Sequence, residues 1–315
     1  MPSLETPQNL AQALAALQTA GLTRLDAQLL LLHVLGQPAH QRGWLLAHDT
    51  DQLPPDLAAA LKLLAQRRLK GEPLAYLTGH KEFFGLDLRV DARVLVPRPD
   101  TETLVNWALA VLTTAPHAPA EGYAPQANTD KKDTLQALPL AHVGPTVRPR
   151  VLDLGTGSGA IALALKASHP DLQVHAIDFS HDALAVAQAN AQRLHLEVTF
   201  SQGAWFAGLP IAAATFDCIV SNPPYIAALD PHLAALTHEP LQALASGPDG
   251  LDDLRQIIQA APSHLNPHGW LLLEHGYDQA QAVRELLAAR GFIHVVSRQD
   301  LAGIERCSGG QKPPI

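Results

Sequence analysis

Residues 151–165 read VLDLGTGSGAIALAL, and this stretch decides the fold. An apolar run suited to a buried strand enters a turn that carries Gly155, Gly157 and Gly159, and a helical run rich in alanine and leucine follows. Glycine has no Cβ and readily adopts positive φ, so such a turn can be tight and can bring its backbone close to a ligand. The stretch therefore predicts a strand, a binding turn and a helix in succession.

The rest of the chain repeats this alternation of strand and helix. Together with 151–154, strands are predicted at 174–178, 198–201, 216–221, 270–274 and 293–297. Helices are predicted at 160–167, 180–194 and 279–289. Such alternation is typical of a Rossmann-like α/β fold, a doubly wound and mostly parallel sheet with helices on both faces.

The residues before this region divide into three segments. Residues 1–80 are predicted to form a small helical domain, because helical periodicity runs from about residue 9 to residue 70. Within 81–113, the alternation around Gly85 and Asp91 over 82–96 predicts a β-hairpin, and a connecting helix is predicted at 101–112. Residues 114–149 are rich in alanine and proline without a period, which indicates an insertion or linker before the ligand-binding domain at 150–315.

Composition narrows the functional class. The 315 residues are 47% hydrophobic and carry a net charge of −8, which argues against a large nucleic-acid face, and no apolar run has the length of a membrane span. Although there are 16 histidines, HExxH and CxxC are missing, so we expect no metal site. The start lacks a basic segment leading into an apolar one, and there are two cysteines, so we expect a cytoplasmic protein.

The glycine spacing and a later carboxylate point to a nucleotide-like ligand. The spacing is G-x-G-x-G, whereas dinucleotide sites use G-x-G-x-x-G, so a pyrophosphate is not the best match. Asp178 ends the second strand roughly twenty residues later, where a carboxylate can reach ribose hydroxyls. For Asp153 and Asp178 a helix cap or surface turn is the structural alternative, and for Asp153 the two interpretations stay balanced.

A second motif ends the fourth predicted strand, where residues 220–226 read VSNPPYI. Proline cannot donate to a sheet ladder, so Pro223 and Pro224 end the strand and stiffen the corner. Ligands of open α/β sheets bind at the carboxyl ends of strands, which places Asn222 beside the glycine turn. A rigid corner capped by Tyr225 is the purely structural alternative.

These motifs resemble known families. DLGTGSG followed by Asp178 resembles the S-adenosylmethionine site of class I methyltransferases, and NPPY resembles the catalytic motif of methyltransferases that act on planar amide or base nitrogens. More narrowly, the chain is similar to the release-factor glutamine N5-methyltransferases, the PrmC or HemK family. The similarity rests on SNPPYI (221–226), GEPLAYLTG (71–79), EFFGL (82–86), VLVPRPDTE (94–102), GPDGLDDLR (247–255), LLLEHG (271–276) and DLAGIER (300–306).

The resemblance implies a seven-stranded sheet, an N-terminal helical domain that docks the substrate, and S-adenosylmethionine as the cofactor. It implies methylation of the glutamine in the Gly-Gly-Gln motif of class-1 peptide chain release factors. The implied cofactor residues are Gly155, Thr156, Gly157, Ser158, Gly159, Asp178, Trp205 and Asn222. Asn222, Pro223 and Tyr225 are the implied catalytic residues, and with Pro224 they would line the substrate glutamine. The chain departs from the family in two places. Its segment at 114–149 is longer than the link that the family resemblance implies before the first strand, and Phe84 stands where members of the family often carry tryptophan.

The chemistry of an amide nitrogen agrees with this motif. Its lone pair is delocalised, so catalysis depends on holding the nitrogen in place rather than on removing a proton first. The substrate NH₂ would donate to the Asn222 side-chain oxygen and to the Pro223 carbonyl, while Tyr225 packs against the amide plane.

Three other functions remain open on the sequence. The nearest is methylation of adenine in DNA or guanine in ribosomal RNA, since such enzymes can share NPPY. A dinucleotide-dependent oxidoreductase and a non-catalytic ligand sensor are the others. Against the first stand the acidic balance and the lack of a basic recognition segment, so we expect no nucleic-acid, membrane or metal partner.

Residues 309–311 read Gly-Gly-Gln, the tripeptide that the family modifies. We expect the last strand to end at 307, which would leave these residues in a mobile tail. Coincidence is the first interpretation, because glycine and glutamine are common in such tails. The second is that Gln311 of one molecule enters the crevice of another.

Overall fold

The computed structural model describes residues 7–114, 148–209 and 215–314, so the predicted insertion at 114–149 lies almost entirely outside the described residues. The α-helices in these ranges are α1 (Leu10–Thr19), α2 (Arg24–Val34), α3 (Trp44–Ala47), α4 (Pro55–Leu69), α5 (Leu74–Thr78), α6 (Glu102–Thr114), α7 (Ala160–Ser168), α8 (His181–Leu194), α9 (Asp252–Ala260) and α10 (Ala280–Ala289). The strands are β1 (His80–Phe83), β2 (Leu86–Arg89), β3 (Arg150–Leu154), β4 (Gln173–Asp178), β5 (Thr199–Gln202), β6 (Phe216–Ser221), β7 (Leu265–Glu274), β8 (Ile293–Gln299) and β9 (Glu305–Gln311).

The N-terminal helices form their own core. Each of the first two begins at a capping side chain: Asn9 accepts from the Gln12 amide, and Thr23 accepts from the Asp26 amide. Leucines at helical spacing then meet in the interior, among them Leu30, which is fully buried. The predicted helical region at the N-terminus is confirmed.

The predicted hairpin is present but shorter than expected. β1 and β2 pair antiparallel around a turn at Phe84 and Gly85, both at positive φ. Val90 adds one further backbone hydrogen bond, to the Gly79 carbonyl at 3.1 Å, and the ladder then ends, so the expectation of a hairpin reaching residue 96 is wrong. The reason lies at Asp91, whose carboxylate accepts from the Arg93 amide and guanidinium, a local turn that competes with strand pairing.

The large sheet has seven strands in the order β5-β4-β3-β6-β7-β9-β8. Its first five strands in this order run parallel, and β9 runs antiparallel to both β7 and β8. The chain leaves β3 for β4 on one side and later returns to place β6 on the other, so the strand order reverses at β3. Ligands bind at such reversal points, at the carboxyl ends of the strands.

Two apolar cores cover the two faces of this sheet. Residues of β3 alternate between them: Val151 joins the core with α6 and α7, whereas Leu152 joins the core with α9 and α10. The doubly wound, mostly parallel α/β sheet predicted from the sequence is confirmed.

The C-terminal Gly-Gly-Gln belongs to this sheet, so the expectation of a mobile tail is wrong. Gly309 and Gly310 are buried in β9, between β7 and β8. A Cβ on Gly309 would lie 2.6 Å from Leu272 Cδ2, and one on Gly310 would lie 2.8 Å from Phe292 Cβ. The glycines are therefore required by packing on both faces. Entry of Gln311 into another molecule's crevice would require extracting an interior strand, and we discard that hypothesis.

Candidate active site

A cavity of about 390 Å³ opens at the carboxyl ends of β3, β4 and β6, at the reversal point of the sheet. Its size lies within the roughly 300–1,000 Å³ of small-molecule sites. One side is formed by predicted site residues, namely Gly155, Thr156, Gly157, Ser158, Asp178, Trp205, Asn222 and Pro224. The opposite side is formed by residues 93–98 and Thr101.

The glycine turn takes the shape that its sequence predicts. Gly155, Gly157 and Gly159 have φ values of +74°, +56° and +85°, which disfavour other residues. The backbone amides of Gly155 and Thr156 both donate to the Ile177 carbonyl, at 2.9 and 3.0 Å, so the turn is fixed to the end of β4. Gly159, which directly precedes α7, lies in the turn but outside the cavity lining.

Asp153 supports the turn from within the protein. Its side chain is fully buried, and Oδ2 accepts from the Thr156 hydroxyl at 2.7 Å and from the Ala162 amide at 3.2 Å. Burial raises the pKa of this carboxyl to about 7, although both hydrogen bonds favour the ionised form. The sequence left open whether Asp153 binds a ligand or caps a helix. Its contacts are those of a residue that caps the start of α7.

Asp178 combines a cap with a site position. Its carboxylate accepts from the Gly157 amide at 2.8 Å and from the Ser180 amide at 2.9 Å, and it also lines the cavity. Burial raises its pKa, and these two hydrogen bonds oppose the shift. Because two carboxylate oxygens accept about four hydrogen bonds, capacity remains for a pair of ligand hydroxyls.

Trp205 and Ser158 complete this side of the cavity. Trp205 begins a short 3₁₀ turn at φ +50°, and a Cβ on Gly155 would lie only 3.4 Å from Trp205 Cζ3. The Ser158 carbonyl accepts from Asn190 Nδ2 at 3.0 Å, and Asn190 Oδ1 accepts from the Arg89 amide at 2.8 Å. Asn190, which sequence reasoning missed, therefore connects the turn to the hairpin.

The NPPY corner brings some of its residues to the cavity and not others. Asn222 and Pro224 line it, whereas Pro223 is buried and Tyr225 packs against the core beside α9 and α10. The corner is fixed through Tyr225, whose amide donates to the Leu244 carbonyl at 3.2 Å and whose carbonyl accepts from Gln279 Nε2 at 2.9 Å.

The wall of the cavity that residues 93–95, Pro97 and Arg98 form was not predicted as part of the site. Arg98 pairs with Glu239, whose other oxygen accepts from the Val96 amide at 3.0 Å. The Tyr76 hydroxyl of α5 donates to the Val94 carbonyl, so the helical region holds this wall. The signal for it was the proline-bracketed VLVPRPDTE, which entered the sequence analysis only through its resemblance.

Two buried polar residues beside Asn222 were also missed. Thr101 accepts a hydrogen bond from Asn222 Nδ2 at 3.3 Å. Glu274 is the last residue of β7, and only 1% of its surface is exposed. Burial raises the pKa of Glu274 to about 7. Neither residue belongs to a motif with an evident chemical role, which is why residue patterns alone did not find them.

Within the described part of the chain, no three histidine, cysteine, aspartate or glutamate side chains are grouped so that they could hold a metal ion. No helix among residues 7–114, 148–209 and 215–314 combines the length and the apolar character that crossing a membrane requires.

Solved structures show which known fold this chain shares. The catalytic domain of hMettl16, solved in complex with the MAT2A 3'UTR hairpin 1, matches 82% of this chain and 83% of its own. The TM-score is 0.53 at 13% sequence identity, so this likeness shows the methyltransferase fold alone.

Comparison of sequences is more specific. The family described as "Methyltransferase small domain" matches residues 129–249, and "PrmC N-terminal domain" matches residues 8–79. The "Release factor glutamine methyltransferase" of Bordetella pertussis is 48% identical over 92% of this chain and 95% of its own length. The protein of the same name from Coxiella burnetii is 40% identical over 96% of both chains. With such identity over nearly its whole length, this chain belongs to the release factor glutamine methyltransferase family.

Proposed function

We propose that this enzyme transfers a methyl group from S-adenosylmethionine to the side-chain amide nitrogen of the glutamine in the Gly-Gly-Gln motif of class-1 peptide chain release factors. The names of its relatives support the substrate. The observation that carries the proposal is the position of Asn222, which lines the same cavity as the glycine turn and Asp178. A group suited to orienting an amide thus stands beside a site suited to a nucleoside.

The residues of the cavity fit this cofactor. Gly155 and Gly157 present backbone without side chains, the Asp178 carboxylate can accept from ribose hydroxyls, and Trp205 offers an aromatic surface. Thr156 and Ser158 complete the turn, and Gly159 sets its exit into α7. When bound, S-adenosylmethionine supplies an electrophilic methyl group on a sulfonium sulfur.

The protein's part in the reaction is to hold the glutamine amide. Asn222 Oδ1 and the Pro223 carbonyl accept from the substrate NH₂ and point its nitrogen toward the cofactor side. The prolines fix the Pro223 carbonyl and the backbone of the corner before the substrate arrives, so little ordering is needed during the reaction. Pro224 lines the glutamine's path, and Tyr225, anchored to Leu244 and Gln279, holds the corner from the side of the core.

A labelling experiment tests the proposal. Tritiated S-adenosylmethionine is offered with a release factor, with DNA or with RNA, and label is expected on the release factor alone. Asn222→Ala should lower kcat by about 100-fold or more, because it removes a preorganised acceptor. Asn106→Ala is the matched control, since Asn106 is exposed on α6 outside the cavity. Label on DNA or RNA, or equal rates for the two variants, would contradict the assignment.

A further inference from the structure

Glu274 is a buried carboxyl that the mechanism above does not use. It follows Leu273, the register partner of Ser221, so Glu274 and Asn222 leave neighbouring parallel strands side by side. Its side chain is 1% exposed, and within the described residues Oε2 has no hydrogen-bond partner. Buried carboxyls are rare and normally fully paired, so this one needs an explanation.

The groups around this carboxyl form a short relay. Asn222 Nδ2 donates to Thr101 Oγ1 at 3.3 Å, and Thr101 is itself buried. The Thr101 hydroxyl and the Asn222 side chain lie close enough to the Glu274 carboxyl to favour its ionised form and so to lower its pKa. Burial is the larger effect, and it raises the pKa of Glu274 to about 7.

The ionised carboxylate gives the relay a direction. A carboxylate only accepts hydrogen bonds, so toward Glu274 the Thr101 hydroxyl can act only as the donor. The Thr101 oxygen is then available to accept from the NH₂ end of Asn222, as observed. Consequently the Asn222 oxygen is turned away from Thr101 and remains free to accept from another group.

We propose that Glu274 and Thr101 are positioning residues, which orient the Asn222 side chain so that its oxygen, and not its NH₂, meets the substrate amide. The inference rests on the proposed function, because only an NH₂-bearing substrate makes this orientation matter. With the opposite orientation, two NH₂ groups would face each other without an acceptor. The Glu274 carboxylate and the Thr101 hydroxyl thereby determine whether the substrate amide binds productively.

Protonation of Glu274 would reverse the relay. The protonated carboxyl can donate to Thr101, whose hydroxyl can then donate to the Asn222 oxygen and draw it away from the substrate. The ionised form is therefore the productive one, and kcat should fall as the pH decreases through about 7.

Other groups facing Glu274 do not account for such a change. The charged ones are Asp100, which precedes α6, and Arg306 of β9, which lie 3.7 Å apart as an ion pair. The titratable neighbours are Tyr225 and Cys307, and burial raises the pKa of each far above neutrality. Glu274 is the group here whose pKa burial raises to about 7.

Kinetics of three variants test the relay. Thr101→Val keeps the shape and removes the hydroxyl, so kcat should fall about 10–100-fold, the usual effect of losing an orienting contact. Thr101→Ser keeps the hydroxyl, so its kcat should lie within about threefold of the wild-type value. Cofactor affinity, measured by calorimetry, should stay within about twofold of the wild-type value for both variants.

Glu274→Gln should remove the acid limb from the pH profile of kcat. Unchanged kcat in Thr101→Val, or an intact acid limb in Glu274→Gln, would overturn the proposal.

A spectroscopic measurement separates this inference from the proposed function. The Asn222 side-chain NH₂ signal of the ¹⁵N-labelled enzyme, identified by its loss in Asn222→Asp, should shift with pH near 7 in the wild type and not in Glu274→Gln. This readout needs no substrate, so it decides the relay even if the release factor receives no label. If the signal does not shift with pH in the wild type, the proposed relay is refuted, while the methyl-transfer assignment is unaffected.

Discussion

At the scale of single residues, Asp178 carries two tasks that are usually separate. Its carboxylate holds the Gly157 and Ser180 amides, and it also faces the cavity where the ribose is proposed to bind. The same group therefore shapes the turn and contacts the ligand. A substitution there should affect both folding and cofactor binding.

We expect Asp178→Ala to weaken S-adenosylmethionine binding by about 2–3 kcal/mol, because charge-assisted hydrogen bonds to ribose are lost. The unfolding free energy should fall as well, since two backbone amides lose their acceptor. Calorimetry measures the first effect and urea denaturation the second. Asp182→Ala is the matched control, because Asp182 is exposed in the first turn of α8. Equal cofactor affinity in both variants would refute the ribose contact.

The site residues found from sequence are those with local signals. The glycine turn, Asp178 and Asn222 are each marked by a motif or by the end of a predicted strand. Thr101 and Glu274 lie in stretches that carry the family resemblance, and Glu274 ends a predicted strand, but their residue types in those places indicate no chemical role. Thr101 meets Asn222 across 121 residues of chain, a contact that no periodicity reveals and that only strand order creates.

At the scale of secondary-structure elements, β9 shows where sequence patterns are least informative. Its residues ERCSGGQ contain no apolar alternation, and glycine disfavours strands. The strand is specified by its neighbours, because Trp107 and Leu272 lie where a side chain on Gly309 would extend. The parallel strands β3 and β6, by contrast, carry mostly apolar residues and were predictable.

We expect Gly309→Ala to lower the unfolding free energy by about 1–3 kcal/mol, the usual cost of overpacking a core. The added Cβ would lie 2.6 Å from Leu272 Cδ2 and 2.8 Å from the Leu271 carbonyl oxygen, and a backbone oxygen cannot move aside cheaply. Gly43→Ala provides the comparison, since no atom lies within 4 Å of its added Cβ. Urea denaturation that shows the same midpoint for both variants would mean that β9 is not tightly packed.

At the scale of the whole molecule, the helical region and the cavity wall are joined. Ala75 shares a small core with Val94 and Val96, the Tyr76 hydroxyl donates to the Val94 carbonyl, and His238 approaches the Lys70 carbonyl at 3.2 Å. These contacts cross the division proposed at residue 80. If the helical region docks the release factor, as the family resemblance implies, these contacts join the docking surface to the cavity wall.

We expect Tyr76→Phe to lower the unfolding free energy by about 1 kcal/mol, because the Val94 carbonyl loses its donor. Since Val94 lines the cavity, cofactor affinity should weaken a few-fold as well. Tyr277→Phe is the control, as Tyr277 is 65% exposed. Should both variants match the wild type in urea denaturation and calorimetry, the hydroxyl does not hold the wall.

The position of β9 also imposes an order of assembly as the chain is synthesised. β8 pairs with β9 and with no other strand of the described sheet, and β9 is made after all the others. The sheet therefore stays incomplete until β9 has been made, and the β7 edge that β9 covers stays open until then. Open apolar edges recruit other chains, and β7 carries the run Leu271–Leu273. The seven residues of β9 close this edge and end the interval in which the growing chain is most exposed to aggregation.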